Sequence, residues 1–318
     1  ILITFSTLRL RVIGARVGSV PWYRRMFGLS AKGATEREPR PVGQNPVVWR
    51  ESVARGRTLA AMTGRWGFVA LGILLGIVVL TLFHTGLLGP GEFRSTLLAV
   101  LAAEIVVITL AALNMSATAV SREREDGSLD IILTTPIQPG PYLWGKLVGL
   151  MQYLVPMMIV PIATAGMAAI YVLLEGLGRD GGVRVSQPQP MGTGTIDLPV
   201  ILPEGAIALP VLLVPFVAFC VMVGLHWSIK SKGTIGSVIA AVAVVLVVAG
   251  VVSLCGNVGG DQMGVFGSVL AAASPITLLL AIVNPAEGIP SAMAESPGGG
   301  RLGLLIGAAI FAAAYAGI

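Results

Sequence analysis

The chain of 318 residues is 55% hydrophobic and only 12% charged, with a mean hydropathy of +0.86. Soluble domains carry about 25% charged residues, so this chain cannot cover a water-facing surface and must dissolve largely in lipid. Its net charge of +5 does not indicate nucleic acid as a partner, because twelve of the 21 Lys and Arg lie between Arg9 and Arg65, before the first long apolar run, where they suit an anionic membrane surface.

The opening stretch, ILITFSTL, reads as the tail of a preceding apolar segment, and Ile318 also falls within an apolar run. An internal piece of a longer membrane protein is therefore expected, with residues 1–8 ending an earlier span. Residues 9–65 form a basic segment expected on the cytoplasmic side. Within it, NPVVWRES (Asn45–Ser52) starts an amphipathic helix that Trp49 anchors at the interface.

Residues 66–318 are expected to form the transmembrane domain. A crossing needs about 20 mostly apolar residues, and six stretches qualify: Trp66–Leu88, Thr96–Val120, Leu147–Leu174, Ala206–Trp227, Thr234–Cys255 and the beginning of a sixth at Leu302–Ile318. Pro156 and Pro161 predict a kink in the third. The run Val265–Val283 is long enough to cross but is broken at Ser274-Pro275. The stretch after it, NPAEGIPSAMAESPGGG, holds two Glu and no Lys or Arg, which is unusual for a cytoplasmic loop. The run therefore reads as a re-entrant or interfacial hairpin on the outer side. The fold class is an all-α polytopic membrane protein with about six transmembrane helices.

Lys and Arg orient it. Seventeen fall in the basic segment and in the loops after the second and fourth spans, against Arg94, Arg179, Arg184 and, at a membrane edge, Arg301 on the other side. By the positive-inside rule the first set is cytoplasmic. The outer loop Glu175–Gly205 is rich in Gly and Pro, has a strand-like VRVS patch and holds no metal or catalytic cluster.

GPYLWGKL (Gly140–Leu147) is one residue away from a phosphate-binding loop, whose pattern is G-x-x-x-x-G-K-[ST]. Leu147 stands where a magnesium-binding hydroxyl is required. Pro141 lacks an N–H, and Tyr142, Leu143 and Trp144 are bulky where a phosphate cradle is small. The stretch also opens a membrane helix instead of following a strand. The chain is therefore expected to bind no nucleotide itself. Gly145-x-x-x-Gly149 is a helix-packing step, like Gly72-x-x-x-Gly76 and Gly303-x-x-x-Gly307.

The loop that contains it, SREREDGSLDIILTTPIQPGPYLWGK, joins the second and third spans. The second helix is expected to run into water through Arg122–Asp126 and to stop at Gly127. Ser128 would cap a short helix, Leu129–Leu133, ended by Thr134-Thr135-Pro136. Glu123, Glu125 and Asp126 give this element an acidic rim beside an Ile/Leu face.

The run from Glu123 through Gly127, Leu129, Leu133 and Thr135-Pro136 to Gly145-Lys146 resembles the intracellular loop of type-2 ATP-binding-cassette permeases. In that family an E-R-E-x-G-[ST]-L-x-x-L-L-x-[ST]-P-[IL] pattern is followed by G-K at the next span. NPVVWRES looks like the family's entry helix. The resemblance implies six helices per half-transporter, a second permease half as a homodimer or tandem partner, and a separate ATPase subunit that alone holds ATP and magnesium. It also implies a partner-docking role for Glu123, Glu125, Asp126, Gly127, Leu129, Leu133 and Pro136, and residence in the cytoplasmic membrane. A span before the expected first one departs from the pattern and would suit the later half of a tandem permease.

Glu104 is the only carboxylate inside an expected span. It is a candidate translocation residue, with a carboxyl that holds two helices together as the other reading. Asn114, Ser116 and Thr118 are expected to bond between helices, and Cys220 and Cys255 read as small buried hydrophobes. His84 and His226 lie far apart, and no metal-ligand or catalytic arrangement is found. The competing function is an ion-coupled secondary transporter using Glu104.

Overall fold

The computed structural model describes residues 46–55, 59–134, 138–188 and 195–317. The expectations for residues 1–45 and for Pro136 lie outside them. A ten-residue helix, α1 (Pro46–Arg55), precedes α2 (Leu59–His84) and α3 (Pro90–Ala117). The short helices α4 (Ser121–Glu125) and α5 (Ser128–Leu133) follow, then α6 (Pro139–Leu173). A single 3-10 turn at Glu175–Gly178 leads to strands β1 (Arg184–Pro188) and β2 (Thr195–Pro199). The chain then forms α7 (Gly205–Lys230), α8 (Thr234–Gln262), α9 (Gly264–Ala271), α10 (Pro275–Val283), α11 (Pro285–Gly288), α12 (Pro290–Glu295) and α13 (Pro297–Gly317).

Six of these helices are long and apolar enough to cross a membrane: α2 from Met62, α3 with α4, α6, α7, α8 and α13. The protein is an all-α polytopic membrane protein. Several observed helices are longer than the apolar runs that announce them. Pro90, Pro139 and Pro297 each sit at a helix start, where a missing N–H costs nothing and φ is already helical. α6 runs without interruption through Pro156 and Pro161, although each proline leaves the carbonyl four residues earlier without its helical donor.

α7 is the central helix, packed by α3, α6, α8 and α13. Leu209, Leu212, Leu213, Phe216, Val217, Cys220 and Val221 bury one broad face of it, while Ile207, Val211, Val214 and Met222 are exposed on the other, so the helix is apolar on both its packed and its outward side. α8 lies at the periphery, with Ile235, Ile239, Leu246, Val247 and Leu254 exposed. Cys220 is buried as expected, whereas Cys255 is exposed on this peripheral helix.

The run Val265–Val283 folds as a hairpin of two helices broken at Ala272–Ser274. Helices of eight and nine residues reach about 12–14 Å, less than half of a ~30 Å hydrocarbon core. Ser274 caps α10 by accepting from the Ile276 N–H, and the Ser253 hydroxyl of α8 donates to it at 2.8 Å. The Tyr315 hydroxyl donates to the Ala273 carbonyl at the same apex. Gly303 and Gly307 let α13 lie directly on Ser268 and Val269. The hairpin returns to the end of the bundle where α7 begins, since the Leu202 N–H donates to the Ile282 carbonyl.

That end of the bundle carries the small sheet. β1 and β2 pair antiparallel, with Arg184 opposite Pro199 and Pro188 opposite Thr195. Three residues of the VRVS patch, from Arg184 on, thus lie in a strand. Two arginines staple this layer to the helices. Arg94, buried, donates through Nε to the Val200 carbonyl and through Nη2 to the Pro199 carbonyl. Arg179 lies over the Phe83 ring and donates through Nε to the Phe83 carbonyl. Arg94 and Arg179 thus serve the backbone, while Arg301 pairs with Glu204.

Candidate functional site

At the opposite face, α1, α4 and the start of α6 converge on Lys146. Its ammonium is enclosed and donates to Glu51 Oε1 at 2.9 Å, Glu123 Oε1 at 3.0 Å and the Ala119 carbonyl at 3.1 Å. Arg50 Nη2 pairs with Glu123 Oε1 and, at 3.2 Å, with Glu51 Oε1. The Tyr142 hydroxyl donates to the other Glu123 oxygen. Among the described residues two cations thus face two carboxylates, and a charge-balanced, hydrogen-bonded set is the form in which charge survives burial. Burial works against the Arg50 charge, but Glu123 and Glu51 outweigh it and raise its pKa. Gly149 permits the approach of α1, because a side chain there would meet the Glu51 Cβ at 2.6 Å.

The P-loop-like octapeptide therefore has a structural answer. Lys146 is spent on two carboxylates and a carbonyl, and Gly145 and Gly149 are both buried.

Three successive residues of α4 each engage a different neighbour. Glu123 takes Lys146, Arg50 and Tyr142. Arg124 donates to the carbonyls of Ile229 and Ser231, both at 2.8 Å, closing the end of α7. Glu125 accepts from the Thr234 N–H at 2.8 Å, at the N-terminus of α8, where an anion also complements the helix dipole. Behind them, Ser228 on α7 accepts from the N–H groups of Val120 and Ser121, both at 2.9 Å. Those are donors left over where α3 breaks into α4. Sequence reasoning missed Glu51, Tyr142 and Ser228, and had set Lys146 aside. A tetrad assembled from three segments leaves no local spacing to detect.

The residues expected to form a docking rim are consequently divided. Glu123 and Glu125 bond to helices of this chain, Glu125 remaining exposed, and Asp126 is exposed; Asp130, which was not expected in the rim, is exposed beside them. Gly127 ends α4 with φ at +69°, a left-handed stop as anticipated. The Ser128 hydroxyl donates back to the Glu123 carbonyl at 3.1 Å, at the first residue of α5. Leu129 is half-buried against the core. Leu133 ends α5, and its side chain, like Pro136, lies outside the described residues.

Glu104 lies apart from this junction, buried where α2, α3 and α6 meet. Thr164 donates weakly to Oε1 at 3.5 Å, Oε2 has no partner, and Gly72 brings the α2 backbone against both Val160 and Glu104. No ion pair involves it among the described residues. The setting is packed helix and suits a carboxyl that lies between helices. Glu104→Gln is expected to cost only about 0.6 kcal/mol of stability, the mean for such intramembrane bonds, and to leave transport intact. Thermal melting in detergent and a flux assay in vesicles check this. Lost flux with unchanged melting would make Glu104 a translocation residue.

The remaining polar candidates are local. Ser116 and Thr118 bond back to carbonyls of their own helix instead of across helices. His84 Nδ1 is 3.0 Å from the Tyr171 hydroxyl, while His226 lies edge-on to Trp227 at the other end of the bundle. Among the described residues no group of His, Cys, Asp and Glu is suited to a metal.

Comparison of the chain with protein-family models, characterised proteins and solved structures finds no match. The physical description therefore stands alone: a multi-pass helical membrane protein whose basic face carries an ion-paired junction and a short projecting helix.

Proposed function

We propose that the chain is the membrane-spanning permease subunit of an ATP-binding-cassette transporter of type-2 architecture, moving substrate with energy from ATP hydrolysed by a separate subunit. The observation that carries this reading is the α4–α5 element. It projects from the basic face, exposes Asp126 and Asp130, and is tied by Glu123, Arg124 and Glu125 to α1, α6, α7 and α8. A push on α5 would therefore reach several helices together. An ion-coupled carrier has no use for such an element, and its one intramembrane carboxylate, Glu104, sits in helix packing.

On this reading the basic face is cytoplasmic, the protein resides in the cytoplasmic membrane, a second permease half completes the pathway, and the chain itself is no ATPase. Purification of the intact chain from its native membrane should bring down an ATP-hydrolysing subunit, and uptake or efflux in vesicles should require ATP. Transport sustained by an ion gradient without ATP would favour the carrier instead. Orientation has its own test. A cysteine introduced near Arg40 is expected to resist membrane-impermeant maleimide on intact cells and to react after permeabilisation. Labelling of intact cells would invert every span.

A further inference from the structure

At the end of the bundle that carries the small sheet, the first turns of α3 and the end of α10 enclose a cleft of about 300 Å³. That volume is at the lower end of the range for small-ligand sites. Buried Arg94 lies at its base, Asn284 on one side and exposed Glu287 at its mouth, while Leu98, Leu280 and Val283 supply an apolar wall.

Three polar groups in this cleft are left incomplete by the fold. Arg94 is only 4% exposed. Its Nε and Nη2 are used on the Val200 and Pro199 carbonyls, and Nη1 has no partner among the described residues. Nor does any carboxylate among them form an ion pair with it, although charges are ordinarily buried only when paired. At Asn284 the backbone N–H donates to the Leu280 carbonyl and the carbonyl accepts from Glu287 and Gly288, but the buried side-chain Oδ1 accepts from nothing. Glu287 is the carboxylate whose charge acts on Arg94, yet it forms no hydrogen bond or ion pair among the described residues. Glu92, two positions before Arg94, is engaged with the Gly89 N–H at 3.0 Å and does not line the cleft.

These deficits define what would complete them. A simple anion would satisfy Arg94 and be repelled by Glu287, and a simple cation would meet the reverse. A molecule that joins an anionic group to a protonated amine a few bonds away answers all three. Its acid takes Nη1 at the base, and its amine donates to Asn284 Oδ1 and to Glu287 at the mouth.

We propose that this cleft binds a small zwitterion, with a short apolar substituent against Leu98, Leu280 and Val283. An α-amino acid and the ethanolamine headgroup of a phospholipid share that chemistry. Because Arg94 also holds the Val200 and Pro199 carbonyls, occupancy would join α3, the sheet and the turn between α10 and α11 in one network. The site is independent of what energises transport.

The full chain, purified in detergent, is titrated calorimetrically with L-valine, with isovalerate, which lacks the amine, and with isobutylamine, which lacks the acid. Lysophosphatidylethanolamine and lysophosphatidylglycerol form the lipid pair, the second without an amine. At least one zwitterion is expected to bind saturably and about tenfold more tightly than its counterparts, the lower end of what a hydrogen bond to a charged group contributes. Preference for L-valine identifies a free solute as the source, and preference for the ethanolamine lipid identifies a headgroup. Arg94→Ala also cuts the two carbonyl bonds to the sheet, so the deciding variant is Glu287→Gln, which breaks no bond shown within this chain. It should leave the melting of the empty chain unchanged, weaken the zwitterion about tenfold and strengthen isovalerate. A counterpart lacking acid or amine that binds as tightly as its zwitterion would overturn the proposal, and so would binding of none of the five, which leaves the cleft to water. Retention of the parent's preference in Glu287→Gln would overturn it as well.

Discussion

Lys146→Met is expected to lower the stability of the protein by about 3 kcal/mol, the lower end of the cost of breaking a buried ion pair. The loss arises less from the missing bonds than from what stays behind. Glu51 and Glu123 would face each other without their one fully buried cation among the described residues, and Arg50, which they share, is half exposed, at 45% of its side-chain surface. Released carboxylates would seek water, and the element freest to move is α1, a ten-residue helix too short to persist alone. Tryptic cleavage after Arg50 or Arg55 should therefore accelerate together with the drop in melting temperature. A second substitution separates charge from packing. In Lys146→Met with Glu51→Gln, one cation and one carboxylate of the described set remain, Arg50 and Glu123, so more than half of the lost stability should return as a coupling term between the two positions. ATP binding by the isolated chain should be undetectable before and after the change, because the ammonium has no free direction. Unchanged melting and unchanged protection of α1 would mean that the tetrad holds nothing together.

The membrane architecture was legible because the bilayer imposes a single strong rule: backbone polar groups must be satisfied within the segment, so crossings become long apolar helices. The hairpin of α9 and α10 was legible for the same reason, since Ser274-Pro275 interrupts a run that would otherwise cross. Helix starts were less so, because hydropathy marks the hydrocarbon and not the turns beyond it. Pro90, Pro139 and Pro297 were the available signals. The site was legible as a location but not as a wiring diagram. Glu123, Glu125 and Asp126 stand within four residues and look equivalent as a sequence. Helical rotation sends Glu123 toward Lys146 and Glu125 toward Thr234, and leaves Asp126 exposed. Nothing local could indicate that Glu51, far upstream, completes the set, or that Ser228 would take the two amides freed at the break after α3.

The proposed docking of an ATPase subunit makes the last and most consequential prediction. α5 has six residues, far below the ~12–15 at which an isolated helix becomes marginally stable, so it depends on contacts at both of its sides. This chain supplies one of them through Leu129, packed against the core, and through the Ser128 hydroxyl on the Glu123 carbonyl. A partner groove would supply the other, with Asp126 and Asp130 steering its approach. Reversing those two charges, Asp126→Lys with Asp130→Lys, touches no hydrogen bond or ion pair shown within this chain. It should leave insertion and melting unchanged while partner capture and ATP-driven transport fall at least tenfold. Leu129→Asp with Leu133→Asp should abolish both outright, but it also removes an apolar contact of Leu129 with the core, so it is informative only beside the charge reversal. If both variants capture the ATPase and transport as the parent does, α5 is a connector and the energy enters elsewhere. If the charge reversal alone is silent while the leucine pair is dead, the contact is apolar and the aspartates only keep the loop in water. Loss in both, with melting preserved in the first, is the result that a rigid push from α5 into α3 and α6 requires, because only then does the surface that meets the partner belong to the same body as the Glu123–Lys146 junction that passes the motion on.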